Sequence, residues 1–326
     1  MKLLVAIVNF RVPDLVIDCL RSVEDELSRV PETCVAICEN GSGDDSAQRI
    51  QQAINENGWS SWCTLTTLDV NQGFTGGNNV LIAPALQSCS PPEYVLLLNP
   101  DTIVRPNAFA SLIDFMDHHR DVGIAGSRLE NPDGTPQRSA FRFQSPLGEF
   151  EAGARIGPIT RMLKNWVVAP PVVDHEMPTD WVSGASMIVR REVFEQTGLL
   201  DEGFFTYYDD IDFCFNARKQ GWSTWYVPAS RVVHLVGQST GINATPRRLP
   251  PYLLQARRRY FLKNYGPFYA AMADAGVIAG LVLSRLRALL TGHNDNSPPH
   301  LLADSIRYSV FFMGFRMINV KLPNRI

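Results

Sequence analysis

Three carboxylates lie within four consecutive residues of the segment 204–212, which reads FFTYYDDID. Asp209, Asp210 and Asp212 follow five residues that include two phenylalanines and two tyrosines. Carboxylates this close repel one another, and apolar neighbours raise their pKa further. A fold tolerates that arrangement where a cation or a substrate proton needs the charge, which makes the segment a candidate active site. The alternative is an acidic helix N-terminus, in which Asp209 and Asp210 cap backbone amides.

Strand-like and helix-like segments alternate in the first half of the chain, upstream of these carboxylates. Apolar strands bounded by turns and covered by helices are typical of a mostly parallel sheet with helices on both faces. The sequence therefore predicts an α/β fold. Strands are predicted at 3–8, 34–38, 65–68, 94–98 and 122–125, and helices at 13–27, from the turn 42–45 to about 57, at 76–86 and at 107–118.

Polar residues follow the predicted strands at the points where the strands end. In parallel α/β sheets the ligand lies at the carboxyl ends of the strands, so these residues predict one shared site. The polar motifs are Asn9 after the first strand, Glu39-Asn40-Gly41-Ser42 after the second, Asn71-Gln72-Gly73-Phe74 after the third and Asn99-Pro100-Asp101 after the fourth.

Each motif also has a second interpretation. Asp101 could hold a hard divalent cation that takes phosphate oxygens, or the motif could be only a tight turn. The glycine-rich segment 71–79 could bring backbone amides to a phosphate, or it could be a flexible loop before a helix. Asp210 is a candidate general base for an attacking hydroxyl. His234 could join a metal site or contact a diphosphate, or be a core histidine.

Composition limits the function classes. The chain has 326 residues, 45% of them hydrophobic and 19% charged, and a formal net charge of −3. Without a basic excess, general nucleic-acid binding is not expected. The apolar run 3–8 is too short for a membrane span and predicts a buried strand. The six cysteines are scattered among apolar residues, which favours reduced core thiols in a cytoplasmic protein over a metal site.

The later part of the chain is less regular. Segment 137–177 carries several glycines and prolines and predicts an insertion or mobile loop region, before strands at 187–189 and 224–227. Segment 268–290 is strongly apolar, and it predicts either an amphipathic helix on a membrane surface or a helix packed on the domain. A second aromatic-rich run, 308–318, slightly favours the interpretation as a helix on a membrane surface. Before them, a basic stretch interleaved with aromatic residues contains Arg247, Arg248, Arg257, Arg258, Arg259 and Lys263.

The ordered set of motifs resembles glycosyltransferase family 2, and within it the bacterial rhamnosyltransferase-like branch. Its most specific signature is LLLNPD at 96–101, followed by YDDID at 208–212 and then His234. The resemblance implies a GT-A fold, a Rossmann-like domain that binds a nucleotide-sugar. We expect this domain at 1–240 and a C-terminal helical, basic-aromatic extension at 241–326. The resembling segments are 5–9, 39–42, 71–79, 96–101, 131–134, 181–185, 204–212 and 232–234.

The resemblance also implies roles for single residues. Asp210 matches the catalytic base, and Asp209 stands beside it where the family usually has a glutamate. Asp101 matches the last residue of the family's Asp-x-Asp element, which binds metal and diphosphate, and His234 matches its C-terminal histidine. Asn99 replaces the first aspartate of that element, so one carboxylate fewer is present for a Mg²⁺ or Mn²⁺ ion. The nucleotide side is formed by Asn9, Glu39, Asn71, Gly73, Asn78 and Asn99.

The implied reaction is inverting transfer of a sugar from a nucleotide-sugar to a glycan or polyprenyl-diphosphate-linked acceptor, in cell-surface polysaccharide synthesis. The branch suggests dTDP-rhamnose as donor, with a UDP- or GDP-sugar as the alternative. A non-catalytic nucleotide- or glycan-binding protein is the alternative class. A sugar-nucleotide pyrophosphorylase would need a glycine-rich loop after the first strand, and residues 9–13 contain no glycine. We expect a cytoplasmic protein, with peripheral contact to the inner membrane if the apolar C-terminal segments lie on it.

Overall fold

The computed structural model describes residues 1–235, 248–292 and 297–320. It has two compact units. The first comprises Met1–Ala140, Pro171–Asp201 and Phe213–Gly241, and the second comprises Phe141–Pro170, Glu202–Asp212 and Ile242–Ile326. The second unit therefore takes two segments from the first 240 residues, including the acidic segment, in addition to the C-terminal extension.

The described residues form eleven strands and eleven α-helices. The strands are β1 Leu3–Asn9, β2 Thr33–Asn40, β3 Cys63–Leu68, β4 Tyr94–Leu98, β5 Thr102–Val104, β6 Val122–Glu130, β7 Ala140–Phe141, β8 Met177–Thr179, β9 Trp181–Val182, β10 Ser186–Arg190 and β11 Ser223–His234. The helices are α1 Pro13–Leu27, α2 Ser46–Glu56, α3 Gly73–Leu86, α4 Ala108–His118, α5 Pro146–Ala154, α6 Gly157–Met162, α7 Arg191–Thr197, α8 Asp209–Lys219, α9 Pro251–Thr291, α10 Leu301–Arg307 and α11 Val310–Met313.

The main sheet of the first unit has the order β3-β2-β1-β4-β10-β6-β11-β5, with β8 added to β11. The pairs among β3, β2, β1 and β4 are parallel, as predicted. The other half is mixed, because β10 is antiparallel to both of its neighbours while β11 is parallel to β6. An apolar run such as 187–189 reads the same in either direction, so periodicity does not reveal the direction of the strand.

The core of the first unit lies around the central parallel strands. Every residue of β1 and β4 is buried, and on α1 the face formed by Val16, Cys19, Leu20 and Val23 is buried as well. Full burial of one such side chain favours folding by about 1.5–3 kcal/mol. This apolar layer fixes the carboxyl ends of β1, β2 and β4, where the polar motifs begin.

The prediction of a loop region at 137–177 is wrong for two stretches, because α5 and α6 form there. The hydroxyl of Ser145 accepts a 3.1 Å hydrogen bond from the Gly148 amide, and Pro146 occupies the first turn of α5. Within the second unit α5 packs closely on α9. A Cβ at Gly280 would lie 2.3 Å from the Phe150 carbonyl oxygen. The small residues that lower helix propensity therefore serve helix packing, which one sequence does not reveal.

The long helix α9 is interrupted at Gly266, whose φ of 83° lies in the left-handed region. Beyond this kink one face is buried and the opposite face is exposed, so packing on the protein accounts for one side of segment 268–290. By length and composition alone, α9 is the one helix of the described residues that could cross a membrane. Of its most apolar 18-residue stretch, 28% is buried in the protein.

The basic stretch contributes to the packing of the second unit. Arg257 contacts Glu149 and Asp274, and Arg258 donates to the carbonyl oxygens of Gly314 and Arg316. Three further basic residues have partners in the same unit: Arg248 with Asp304, Arg259 with Asn319 and Lys263 with Asp212. Arg247 lies outside the described residues.

Candidate functional site

The carboxyl ends of β1 and β2 are joined through Ser42. Its hydroxyl accepts hydrogen bonds from the Arg11 amide at 2.9 Å and from Asn9 Nδ2 at 3.5 Å, while its amide donates to Glu39 Oε1 at 3.0 Å. Asn9 and Glu39 are 0% and 3% exposed. The structure thus brings together two of the predicted nucleotide-side residues, with one Glu39 oxygen committed to the turn that follows β2.

The loop after β3 is held by Asn40, the last residue of β2. Its amide nitrogen donates to Asn71 Oδ1 at 3.1 Å and to the Gly73 carbonyl at 2.8 Å, and its oxygen accepts from the Gln72 amide at 2.9 Å. Asn71 Oδ1 also accepts from the Gly73 amide at 2.8 Å. Asn71 and Gly73 therefore occupy fixed positions beside the end of β2, and the segment is an ordered helix start rather than a flexible loop.

Helix α3 begins at Gly73, three residues before the predicted start, and approaches the sheet closely. A Cβ at Gly77 would lie 2.7 Å from a methyl group of Val8, which explains a glycine at this position. Asn78 is 1% exposed and donates to the Phe74 carbonyl at 2.9 Å, while its Oδ1 is buried without a hydrogen-bond partner among the described residues. A buried amide oxygen without a partner is unfavourable by about 1–3 kcal/mol, which is consistent with a ligand donor at this place.

Asn99, Asp101 and His234 converge at the end of β4. His234 Nε2 lies 3.4 Å from Asp101 Oδ1 and 3.3 Å from Asn99 Nδ2. The contact depends on β11, which continues to His234, well beyond the predicted end at 227. The end of β11 pairs antiparallel with β5, so that His234 lies opposite Thr102. The His234 and Asp101 side chains are 13% and 4% exposed. This geometry agrees both with a ligand-binding histidine and with a core histidine whose polar contacts are satisfied, so the role of His234 stays a prediction.

The donor atoms at this place fit one divalent ion. Two neighbouring ligands of an octahedral ion with bonds of about 2.1 Å are separated by about 3.0 Å, close to the Asp101–His234 distance. A carboxylate with an imidazole suits Mn²⁺, and diphosphate oxygens could complete the coordination. Among the described residues no group of three His, Cys, Asp or Glu side chains could hold a metal, so the protein would supply only part of the ligands.

In the second unit, helix α8 begins at Asp209, and all three carboxylates of the acidic segment lie in its first turn. Asp210 Oδ1 accepts from the Ile211 amide at 2.9 Å. Asp209 is 4% exposed, and burial, together with the nearby charge of Asp210, raises its pKa well above the ordinary value. The three carboxylates therefore do lie at a helix N-terminus, as the alternative interpretation predicted. Capping of backbone amides does not explain the raised pKa of Asp209.

The backbone just before these carboxylates is strained. Tyr207 and Tyr208 both have a φ of 64°, a left-handed conformation that is rare for bulky residues. Such conformations are unfavourable by about 1–3 kcal/mol each and cluster at active sites and ligand clamps. The rings are held by α9, Tyr207 stacking on Tyr252 at 6.0 Å and Tyr208 lying 5.5 Å from Tyr260. In the sequence, the only sign of this strain is the pair of adjacent tyrosines.

Asp212 is an anchor rather than a reactive group. One of its oxygens lies 2.6 Å from Lys263 Nζ, and the other accepts from Asn264 Nδ2 at 2.7 Å. The Asp212 side chain is 2% exposed. Phe204 adds a second attachment, because its ring lies within cation–π distance of both Arg259 and Lys263. Helix α9 therefore fixes the acidic segment from both ends.

Sequence comparison places this geometry in a known family. Residues 2–261 match the family model described as "Glycosyltransferase like family 2". The chain belongs to this family. This member of family 2 is 32% identical over 152 residues to the N-acetylglucosaminyl-diphospho-decaprenol L-rhamnosyltransferase of Mycobacterium tuberculosis, which covers 46% of this chain and 49% of the relative. It is 27% identical over 165 residues to the rhamnosyltransferase WbbL of Escherichia coli K12. That match covers 50% of this chain and 60% of the relative. The family 2 chain thus spans about half the length of these curated relatives.

Solved structures of similar fold include two glycosyltransferases. GalNAc-T7 with UDP, GalNAc and Mn²⁺ matches with a TM-score of 0.57 and 16% identity, over 94% of this chain and 58% of that chain. The mannosyltransferase PcManGT from Pyrobaculum calidifontis, in complex with GDP-Man and Mn²⁺, also matches with a TM-score of 0.57 and 13% identity. The match covers 96% of this chain and 84% of that chain. At these identities the similarity concerns the fold, and the GT-A expectation is confirmed.

The predicted site residues of the first unit form three groups. Asn9 and Glu39 meet at Ser42, and Asn99 and Asp101 meet at His234. Asn71 and Gly73 meet at Asn40, at the start of the helix that carries the buried Asn78. Asp209 and Asp210 belong to the second unit, where their roles stay predictions. In the sequence analysis Asn40 and Ser42 appear only as members of a motif. The ion pair of Lys263 with Asp212 was not predicted, because Lys263 belongs to α9, far along the chain.

Proposed function

We propose that this family 2 member is an inverting glycosyltransferase that moves a sugar from a nucleotide-sugar to a polyprenyl-diphosphate-linked glycan acceptor. Family membership supports sugar transfer, and the relative from M. tuberculosis is named for a decaprenol-linked substrate. Rhamnose from dTDP-rhamnose is the donor we favour, because two of the relatives are rhamnosyltransferases. The observation that carries the proposal is the convergence of Asn99, Asp101 and His234 at the carboxyl end of β4.

On the donor side, we infer that Asp101 and His234 hold the diphosphate through a divalent ion. When bound, Mn²⁺ or Mg²⁺ would act as a Lewis acid and neutralise the leaving nucleoside diphosphate. Asn99 lies beside His234 and can donate its amide hydrogen to a phosphate oxygen. Glu39 is positioned by Ser42 to accept from the nucleotide base, and Asn78 Oδ1 has acceptor capacity left. Both similar structures bind Mn²⁺, which supports the choice of a divalent ion.

On the acceptor side, we infer that Asp210 is the general base. It takes the proton of the attacking hydroxyl while the hydroxyl oxygen forms a bond to the anomeric carbon and the bond from that carbon to the diphosphate oxygen breaks. The products are the glycoside with inverted configuration, the nucleoside diphosphate and a protonated Asp210. Asp209, with its raised pKa, is suited to donate a hydrogen bond that orients the acceptor. Asp210 is less buried than Asp209, which suits a group that exchanges a proton.

We place the reaction in the cytoplasm, where nucleotide-sugars and reduced thiols are found. All six cysteines are free thiols, and burial raises the pKa of Cys19, Cys38 and Cys63 to about 12, which keeps them protonated and unreactive. These features agree with a reducing compartment.

A donor panel tests the proposal. The purified protein is incubated with dTDP-, UDP- and GDP-sugars with and without Mn²⁺, and thermal shift and slow donor hydrolysis are measured. We expect one nucleotide-sugar to raise the melting temperature more than its free nucleotide does, and to be hydrolysed slowly without acceptor. Binding without hydrolysis or transfer to any acceptor would favour the non-catalytic binding protein instead.

A further inference from the structure

The exposed face of α9 beyond Gly266 is apolar over its whole length. Exposed side chains recur at alternating intervals of four and three residues, so they form one continuous stripe along the helix. Between Pro267 and Leu290 every exposed position except Arg285 is apolar, and Leu289 and Leu290 are 83% and 85% exposed. The stripe consists of Phe268, Met272, Ala275, Ala279, Val282 and Leu286, and Leu289 extends it by one turn.

The opposite face of the same helix is firmly packed. Ala273, Asp274 and Leu281 are buried, and a Cβ at Gly276 would lie 2.5 Å from the Pro146 carbonyl oxygen in α5. Asp274 contacts the guanidinium of Arg257. The helix is therefore fixed in rotation, and its apolar stripe faces solvent because the other side is already occupied.

A second apolar element, the segment 311–317, is anchored to α9. The Val310 amide donates to Asp274 Oδ2 at 2.7 Å, and Arg258 donates to the carbonyl oxygen of Arg316 at 2.7 Å. Between these anchors Phe311 and Phe312 are 61% and 75% exposed. Phe315 and Met317 are exposed as well. Adjacent exposed phenylalanines on an anchored backbone indicate a surface that another phase or partner covers.

The charges around these elements have one sign. Among the described residues after Gly266, the two carboxylates, Asp274 and Asp304, are both 2% exposed and both hold arginines. The exposed charged side chains of the same stretches are Arg285, Arg307 and Arg316. A symmetric helix pair is stabilised by complementary flanking charges, which this surface lacks, whereas an anionic lipid surface supplies them.

We propose that this surface, the α9 stripe with segment 311–317, docks the second unit on an anionic lipid bilayer, in the plane of the interface. The apolar residues enter the boundary between headgroups and acyl chains, and the three arginines contact lipid phosphates. In-plane docking is favoured over a crossing helix because α9 carries a buried carboxylate, Asp274, that is paired with Arg257. The inference stands apart from the transfer reaction, and it would bring the protein to the phase that holds a polyprenyl-diphosphate acceptor.

Vesicle flotation tests the proposal on the full-length protein. The wild type is expected to float with vesicles of phosphatidylcholine plus phosphatidylglycerol, and less with phosphatidylcholine alone. Phe311→Ser/Phe312→Ser and Leu286→Ser/Leu289→Ser should each lower the vesicle partition coefficient at least about tenfold, the factor that burial of one large apolar side chain supplies. Arg307→Gln/Arg316→Gln should weaken only the binding to anionic vesicles. Val70→Ser removes a comparably exposed residue of the first unit and should float like the wild type.

Three results would overturn the proposal: folded double variants that bind as well as the wild type, a protein that resists extraction from membranes by alkaline carbonate, and a concentration-dependent dimer that Leu286→Ser/Leu289→Ser abolishes in the absence of vesicle binding. Circular dichroism confirms that the variants are folded. Transfer to a short-chain, water-soluble acceptor should survive in the apolar variants, so failure of the docking surface and failure of the proposed reaction are distinguishable.

Discussion

The imidazole of His234 lies 3.4 Å from the carboxylate of Asp101, and the antiparallel pairing of β11 with β5 creates this contact. Asp101 lies in the turn between β4 and β5, and His234 is the last residue of β11, far along the chain. Both side chains are largely buried. A carboxylate and an imidazole held at this distance can share one divalent ion, which gives the donor side of the proposed site its defined geometry.

Replacing either side chain should weaken donor binding. For Asp101→Asn or His234→Ala we expect donor affinity in the presence of Mn²⁺ to fall about 10- to 100-fold, since a hydrogen bond or contact to a charged group contributes about 1.5–3 kcal/mol. Isothermal titration calorimetry with and without Mn²⁺ measures this. Donor affinity that is independent of metal in the wild type, and unchanged in both variants, would exclude this role. Asp18→Asn, an exposed carboxylate on α1, is the matched control.

The raised pKa of Asp209 predicts that its charge opposes folding at neutral pH. Burial and Asp210 raise the pKa in the folded protein above the unfolded value, so the folded state retains a proton that the unfolded state releases. Stability therefore falls as pH rises from the unfolded pKa, about 4, through the folded one. Asp209→Asn should raise the melting temperature at pH 7.5, and the gain should vanish near pH 4. A lower melting temperature at pH 7.5 would contradict the cited cause.

Lys263 should matter for stability although it lies in the C-terminal helix. Lys263→Met removes the ammonium group that pairs with the buried carboxylate of Asp212, and breaking a buried ion pair is unfavourable by about 3–5 kcal/mol. Because Lys263 is 27% exposed, we expect the lower end of this range. Thermal unfolding followed by circular dichroism measures it. Asp212→Asn in the same chain should recover part of the loss, and Lys219→Met, an exposed lysine, should leave the melting temperature unchanged.

The contact between α5 and α9 should be intolerant of a single methyl group. In Gly280→Ala the new Cβ would lie 2.3 Å from the Phe150 carbonyl oxygen, so the helices must separate, which is unfavourable by about 1–3 kcal/mol. Gly157→Ala is the control, since nothing lies within 4 Å of its Cβ position. A melting temperature that rises in Gly280→Ala, as it would from helix propensity alone, would show that the close packing does not hold.

Local pattern was sufficient for many elements of the fold. The bounds predicted for α1 and β4 are those observed, because periodic apolar residues and Pro13 define them without reference to the rest of the chain. Strand direction is not a local property, so the strand at 187–189 was predicted but the antiparallel direction of β10 was not. Helix α5 was missed because Gly153, which lowers its helix propensity, serves a close contact with Val277 and Gly280 of α9, more than a hundred residues later.

The site was predictable as a set of residues but not as a geometry. Strand ends indicated Asn9, Glu39 and Asp101, since polar residues after buried strands gather at one edge of a sheet. The proximity of His234 to Asp101 depends on the continuation of β11 past Pro228, where a register shift between Val227 and Arg231 keeps the strand paired. The strain at Tyr207 and Tyr208 likewise depends on α9, whose aromatic residues hold their rings.

Sugar transfer by the Asp210→Asn variant tests whether Asp210 is the general base. With the donor identified by the panel and a lipid-diphosphate acceptor, product formation and donor affinity are determined for the wild type, Asp210→Asn and the control Asp18→Asn. We expect Asp210→Asn to lower the transfer rate about 10²- to 10⁴-fold, the usual contribution of a general base, while donor affinity stays within about twofold. Unchanged turnover in Asp210→Asn would contradict the assignment of the base and the mechanism built on it.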